Sequence, residues 1–123
     1  MNILSIFLGG GLGVVIRYII SSNMAKNLHY NFPLATFLVN IIGSFIIGFL
    51  YIYFGQKANI NPAFKLALTV GFCGGLTTFS TFSLELFEMI SNQQILNAFM
   101  YILISVIICL LSVTLGAYCA KII

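Results

Sequence analysis

Apolar residues run along this chain in four long blocks, Ile3–Ser21, Leu34–Phe54, Ala63–Ile90 and Ile95–Ala120, separated by short polar stretches. Each block meets or exceeds the roughly 17–25 residues that a helix needs to cross a bilayer, so the pattern predicts an all-α protein with four transmembrane helices. The third block differs from the others. Its middle, Gly71-Phe-Cys-Gly-Gly-Leu-Thr-Thr-Phe-Ser-Thr-Phe-Ser83, holds three glycines, three threonines, two serines and three phenylalanines. Glycine weakens a helix, and hydroxyl side chains compete for the backbone groups so freed. In lipid every N–H and C=O must be satisfied within the protein, so such a sequence is tolerated at membrane depth only where protein or water covers it. The block therefore predicts a helix broken near residues 74–77 and lining an ion path. Its 28 residues would be about 42 Å long if wholly helical, against a hydrocarbon core of about 30 Å. An unwound turn fits without leaving the span short.

Composition narrows the class. The chain has 123 residues, 61% of them hydrophobic and only 6% charged, where a soluble domain averages about a quarter charged. A single membrane domain, residues 1–123, accounts for all of it. No nucleotide loop is present, the start Met-Asn-Ile-Leu lacks the basic region of a cleavable signal, and no aqueous enzyme is expected. Cys73, Cys109 and Cys119 all fall inside apolar blocks. An odd number at membrane depth, without zinc or haem spacing, reads as packing residues rather than a disulfide framework.

A net charge of +3, thinly scattered, does not suggest a nucleic-acid partner, and none is expected. With four spans, Lys57, Lys65 and Lys121 fall on one side of the membrane. Lys26 and, from within the first span, Arg17 fall on the other. Lys and Arg near the helix ends set orientation, and this near balance predicts a chain that inserts both ways.

Several polar side chains lie inside the spans. In the first, Gly9 and Gly13 form a pair that lets another helix approach closely. Arg17 either snorkels to the interface in a structural role or pairs with carbonyls or an acid. In the polar connection that follows, His29 beside Tyr30 reads as solvated, with no second ligand near it in sequence. In the second span, Asn40, Gly43, Ser44 and Gly48 share one helix face, which serves either helix packing or a pore into which the Asn40 amide donates. In the third, Phe79 and Phe82 are expected on one face, as are Ser80 and Ser83. Glu85 and Glu88 are the only acids. Glu88 is close to the span's end, whereas Glu85 lies about a turn deeper and needs a partner. In the fourth, Tyr101, Ser105 and Cys109 stack at four-residue steps, with Ser112 three further on. Their hydroxyls either bond carbonyls a turn back or continue a polar track.

The start of the third-span motif, Thr69-Val-Gly-Phe, superficially matches a potassium filter, but Cys73 follows and no separate pore helix precedes it. An anion path has other needs. A small anion losing water needs donors, and amides, hydroxyls and the positive edges of aromatic rings supply them. A broken helix also aims a half-helix N-terminus, which favours anions, into the membrane, while its carbonyl end suits a cation. Asn40, Ser80, Thr81, Ser105 and two phenyl edges fit a small anion.

The third-span motif continues to Glu85. With Gly-Gly-x-Gly-x-x-x-Arg-Tyr ending at Arg17-Tyr18 and Val39-Asn-x-x-Gly-Ser-Phe45, it resembles the Fluc/CrcB fluoride channels, and the resemblance covers the whole chain. It implies an antiparallel, dual-topology homodimer in the bacterial inner membrane that passively exports fluoride and protects the cell from it. Two pores would each be lined by both copies. The resemblance assigns ring edges to Phe79 and Phe82, a pore amide to Asn40 and pore hydroxyls to Ser80 and Thr81. It places Glu85, Tyr101 and Ser105 on the polar side of the path and Arg17 near a vestibule in a structural or electrostatic role. It also implies a structural Na⁺ on the dimer axis, held by the backbone carbonyls of Gly74 and Thr77. In the family the fourth-span track continues with another hydroxyl, where this chain has Cys109.

Two rivals come from other classes. A small multidrug-resistance-type transporter shares the length, four spans and dual topology. It needs an acid in the first span, where this chain has Arg17. A structural tetraspan subunit leaves the dense polar and aromatic motif without a purpose.

Overall fold

The computed structural model describes residues 2–27, 32–57 and 59–123. The reading of His29 beside Tyr30 lies outside them. Four helical spans are present, each long and apolar enough to cross a membrane. The first is α1 (Asn2–Asn27) and the second α2 (Leu34–Gly55). The third comprises α3 (Pro62–Leu66), a π-helical stretch Ala67–Cys73, the single turn α4 (Gly74–Leu76) and α5 (Phe79–Ser91). The fourth is α6 (Ile95–Ile122).

The boundaries follow local chemistry. α1 runs six residues past Ser21, because a polar stretch beyond the lipid can continue a helix at little cost; Ser22 Oγ donates to the Ile19 carbonyl at 3.1 Å. Pro62 opens α3 at a first-turn position that needs no N–H, and the Asn61 side chain caps it by accepting from Ala63 N–H at 2.9 Å. α5 ends in a tight reversal in which Gln93 takes a positive φ of 60°. There the N–H groups of Gln93 and Gln94 donate to the carbonyls of Ile90 and Met89 at 3.0 and 2.8 Å, satisfying the last turn's acceptors.

The spans pair out of sequence order. α1 packs along the first half of the third span and α2 along α6, whereas α1 and α2 touch little. Glycine sets both seams, because backbone approaches backbone. A Cβ on Gly75 would meet the Gly10 carbonyl, and one on Gly13 would stand 2.7 Å from Leu76 N. On the other seam, Cβ atoms on Gly48 and Gly116 would run into the carbonyls of Val113 and Phe45. With lipid on the outside, association rests on such contacts rather than on expelling apolar surface from water. That is also why large side chains such as Phe7, Leu12 and Leu110 stand exposed.

Two expectations for the third span change. The break is at Thr77 and Thr78, at the edge of the 74–77 window and one residue beyond it. Gly71 and Gly75 serve close packing against α1 rather than unwinding. Gly74 itself is helical, with φ −65° and ψ −35°. A π-helical stretch precedes the break, unannounced by the sequence.

Candidate functional site

The break organises the site. Thr77 (φ −79°, ψ 157°) and Thr78 (φ −151°, ψ 113°) are both extended, dividing the span into two half-helices. Thr77 closes the first: its N–H and its hydroxyl both donate to the Cys73 carbonyl, at 3.0 and 2.9 Å. Thr78 opens the second. Its Oγ1 accepts from Thr81 N–H at 3.2 Å, donates to Thr81 Oγ1 at 2.9 Å and lies 3.4 Å from Ser80 Oγ. A threonine N-cap of this kind satisfies one of the orphan amides of a helix start.

The backbone of Thr78 has left both helices, and α2 supplies its partner. Asn40 Oδ1 accepts from Thr78 N–H at 2.8 Å, and Asn40 Nδ2 lies 3.4 Å from the Thr78 carbonyl, to which it donates. One side chain thus answers both groups that the break exposes. A primary amide carries two N–H donors, so a second remains. Asn40→Leu, close in volume, is expected to destabilise the protein by about 2 kcal/mol, since each buried group left unsatisfied costs about 1–3 kcal/mol and intramembrane hydrogen bonds sit at the low end. Asn40→Asp, which keeps the acceptor for Thr78 N–H, should recover part of this. Denaturation of the detergent-solubilised protein measures both, and equal losses for the two variants would contradict the clamp.

Arg17 donates through Nη1 to the Thr77 carbonyl at 3.4 Å. Of its two sequence readings, the structure selects pairing with a carbonyl at the break over snorkelling.

Beside the break lies a cavity of about 480 Å³. Asn40, Gly74, Thr77, Phe79, Phe82, Ser105 and Cys109 all line it, as do Gly43, Ser44 and Thr78. The structure thus brings together Asn40, both phenylalanines and Ser105. Ser80 and Thr81 do not line it: they are exposed on the first turn of α5, tied to Thr78. Phe79 and Phe82 have ring centroids 5.8 Å apart but opposite surroundings. Phe82 is 8% exposed and Phe79 80%, because only Phe82 turns onto Tyr101, centroid to centroid 4.9 Å. The shared face expected from spacing is therefore split between interior and exterior.

Ser105 is the site's unanswered group. Its Oγ is buried and has no hydrogen-bond partner among the described residues, an uncommon condition in a folded protein. Ser105 is also one of the residues lining the cavity, so the unpartnered hydroxyl lies beside it. Ser112, the last of the expected ladder, follows neither reading: its Oγ donates across the seam to the Ile41 carbonyl at 2.8 Å and acts as helix glue. Thr114, outside that ladder, bonds a carbonyl a turn back, that of Leu110.

Above Ser105, Tyr101 is fully buried and donates to Glu85 Oε2 at 3.0 Å, while Thr36 Oγ1 donates to Glu85 Oε1 at 2.5 Å. The partner that Glu85 needed is a pair of hydroxyls. Thr36 escaped the sequence reading, yet it stands one turn before Asn40 on the same face of α2, and that spacing was the available signal. Phe32 packs edge-on against Tyr101 at 5.0 Å, and neither Tyr101 nor Glu85 is among the residues lining the cavity. Glu88 is exposed, as expected near a span end.

Carbonyls dominate the other side of the break. Gly74 is exposed, with open space where a Cβ would stand, and Thr77 is the C-cap directly after the last residue of its half-helix. Such oxygens suit a hard cation, and among the described residues no cluster of His, Cys, Asp and Glu offers another kind of metal site.

Residues 4–117 match the profile of the family described as CrcB-like protein, Camphor Resistance (CrcB). Among the curated relatives named fluoride-specific ion channel FluC are three that match most of the chain. The protein from Hydrogenobaculum sp. is 44% identical over 118 residues, covering 96% of each chain. That from Nitratiruptor sp. is 48% identical over 86% of this chain and 81% of its own, and that from Flavobacterium psychrophilum is 42% identical over 98% and 97%. With four spans, a hydroxyl-capped break and agreement over nearly its whole length, this multi-pass membrane protein belongs to the CrcB family.

Proposed function

We propose that this chain forms a passive, fluoride-selective channel that lets fluoride leave the cell across a bacterial inner membrane and so limits its toxicity. The observation that carries the reading is the Ser105 hydroxyl, buried without a partner in a residue that lines one cavity with Asn40 and Phe82. Fluoride gives up its water only to donors. Here these are the Ser105 hydroxyl, the second Asn40 N–H and the ring edges of Phe79 and Phe82, with the amide end of α5 adding positive potential nearby. The names of the relatives agree with this ion. Glu85 keeps its two oxygens on Thr36 and Tyr101, and so orients Tyr101, whose ring packs on Phe82. Ser80 and Thr81, exposed on one chain, join the path as pore hydroxyls when a second copy covers them.

That second copy is antiparallel. The near balance of Lys57, Lys65 and Lys121 against Arg17 and Lys26 supports insertion in both orientations, and an 80% exposed Phe79 acquires a purpose if it completes the partner's pore. The carbonyls of Gly74 and Thr77 fit a structural Na⁺ shared between the copies, because one chain supplies too few oxygens to surround it. Arg17, on the Thr77 carbonyl, adds positive charge beside that site. A small multidrug-resistance-type transporter is the weaker reading, since α1 carries no acid to trade protons for a cationic drug.

Anion efflux from liposomes containing the purified protein tests the proposal, read first with a fluoride and then with a chloride electrode. Fast electrogenic fluoride loss with chloride retained is the expected result. Retained fluoride, with Na⁺ present and an intact dimer verified, would overturn it.

A further inference from the structure

At the end of the bundle away from Glu85 and Glu88, where α2 ends, the third span begins and α6 ends, lies a second cavity of about 450 Å³. It is lined by Tyr51, Ile52, Gly55, Gln56, Lys65 and Lys121. Both lysines are exposed, and the chain's only two acidic side chains are on α5 at the opposite end. No side-chain carboxylate therefore neutralises them. Lys57, the third lysine of this end, is engaged otherwise: Nζ donates to Tyr53 Oη at 2.7 Å and stands 4.2 Å from the centre of that ring. It does not line the cavity.

The lining has two characters. Two ammonium groups and the Gln56 amide supply donors for an anion. Tyr51, 75% exposed, and Ile52 form an apolar flank on the last turns of a membrane-spanning helix, the level at which tyrosine marks the interface. A free phosphate would use only the first half of this surface. An amphiphile with an anionic head uses both, and basic pockets between spans are where such heads dock. Lysines near helix ends also complement the carbonyl dipole, but that role does not bring two of them, from different spans, into one cavity.

We propose that this cavity is a headgroup site for an anionic phospholipid, with Lys65 and Lys121 holding the phosphate and the acyl chains lying against Tyr51 and Ile52. The site stands apart from the ion path, and its occupancy does not depend on what the protein conducts.

Equilibrium binding of fluorescent phosphatidylglycerol to the purified protein, with phosphatidylcholine as competitor and in a parallel titration, provides the test. Phosphatidylglycerol should bind in preference to phosphatidylcholine. Lys65→Gln and Lys121→Gln should each weaken it about fivefold, the contribution of one basic residue near an anionic headgroup, while Lys57→Gln leaves it unchanged. Millimolar inorganic phosphate should not displace it. Equal binding of the two lipids, or an equal loss in Lys57→Gln, would mean diffuse surface charge and would overturn the proposal. Displacement by inorganic phosphate would instead identify a free-anion site and overturn it as well. The comparison of the two lipids on the unaltered protein keeps the test decisive even if a variant folds poorly.

Discussion

Phe82→Leu is expected to lower fluoride efflux by about a hundredfold while the protein still folds and assembles. Leucine keeps apolar bulk at a position that is 8% exposed and packed on Tyr101, so the core around Met89 and Ala98 should tolerate the change at a cost of about 1 kcal/mol. What it lacks is a ring edge. Aromatic hydrogens present positive potential to an anion that has shed water, and an aliphatic side chain presents none. Losing about 3 kcal/mol of stabilisation at the narrowest point of a path corresponds to about a hundredfold in rate. Efflux measured at matched protein-to-lipid ratio, beside size-exclusion profiles of both proteins, checks this. Wild-type efflux in Phe82→Leu would remove the ring edge from the mechanism, and a collapsed profile would identify a packing residue.

The other large effect belongs to the seams. Gly75→Ala places a methyl against the Gly10 carbonyl, with Gly10 C and Cα both 3.1 Å away. These obstructing atoms are backbone, so no rotamer relieves them and α1 must move off the third span. Overpacking typically costs about 1–3 kcal/mol, and the upper end applies here. The yield of monodisperse protein and its thermal midpoint should both fall. Gly11→Ala, on α1 with nothing within 4 Å of the added carbon, should behave as wild type. Alanine favours a helix over glycine, so propensity cannot account for a loss, and a Gly75→Ala midpoint no lower than that of Gly11→Ala would contradict the seam.

How far the sequence could be read is clearest in the third span. Length and hydropathy located all four helices to within a few residues at most ends, because crossing a bilayer imposes a length that few other constraints imitate. The glycines and hydroxyls correctly signalled a break at membrane depth. They misassigned its cause, since a glycine that permits unwinding and one that permits close approach look alike until the neighbouring helix is in place. The π-helical stretch leaves no compositional mark. Asn40 was readable as a buried amide on a packed face, but its target, the Thr78 backbone, lies 38 residues away. Thr36 was passed over for the same reason: its partner Glu85 is 49 residues distant. Phe79 and Phe82 show the limit of spacing arguments. Three residues apart on a helix, they diverge in burial because α6 covers one and leaves the other bare.

The crossed pairing of spans also dictates an order of events during synthesis. α1 leaves the ribosome first, yet its seam is with residues 67–76, and α2 must wait for Val113 and Gly116 on α6. The hairpin of α1 and α2 therefore enters the membrane with neither glycine seam closed, held by hydropathy alone. Tertiary structure forms only when the third and then the fourth span arrive. A chain stalled after α2 should be inserted but unpacked, with Gly9, Gly13 and Gly48 still facing lipid.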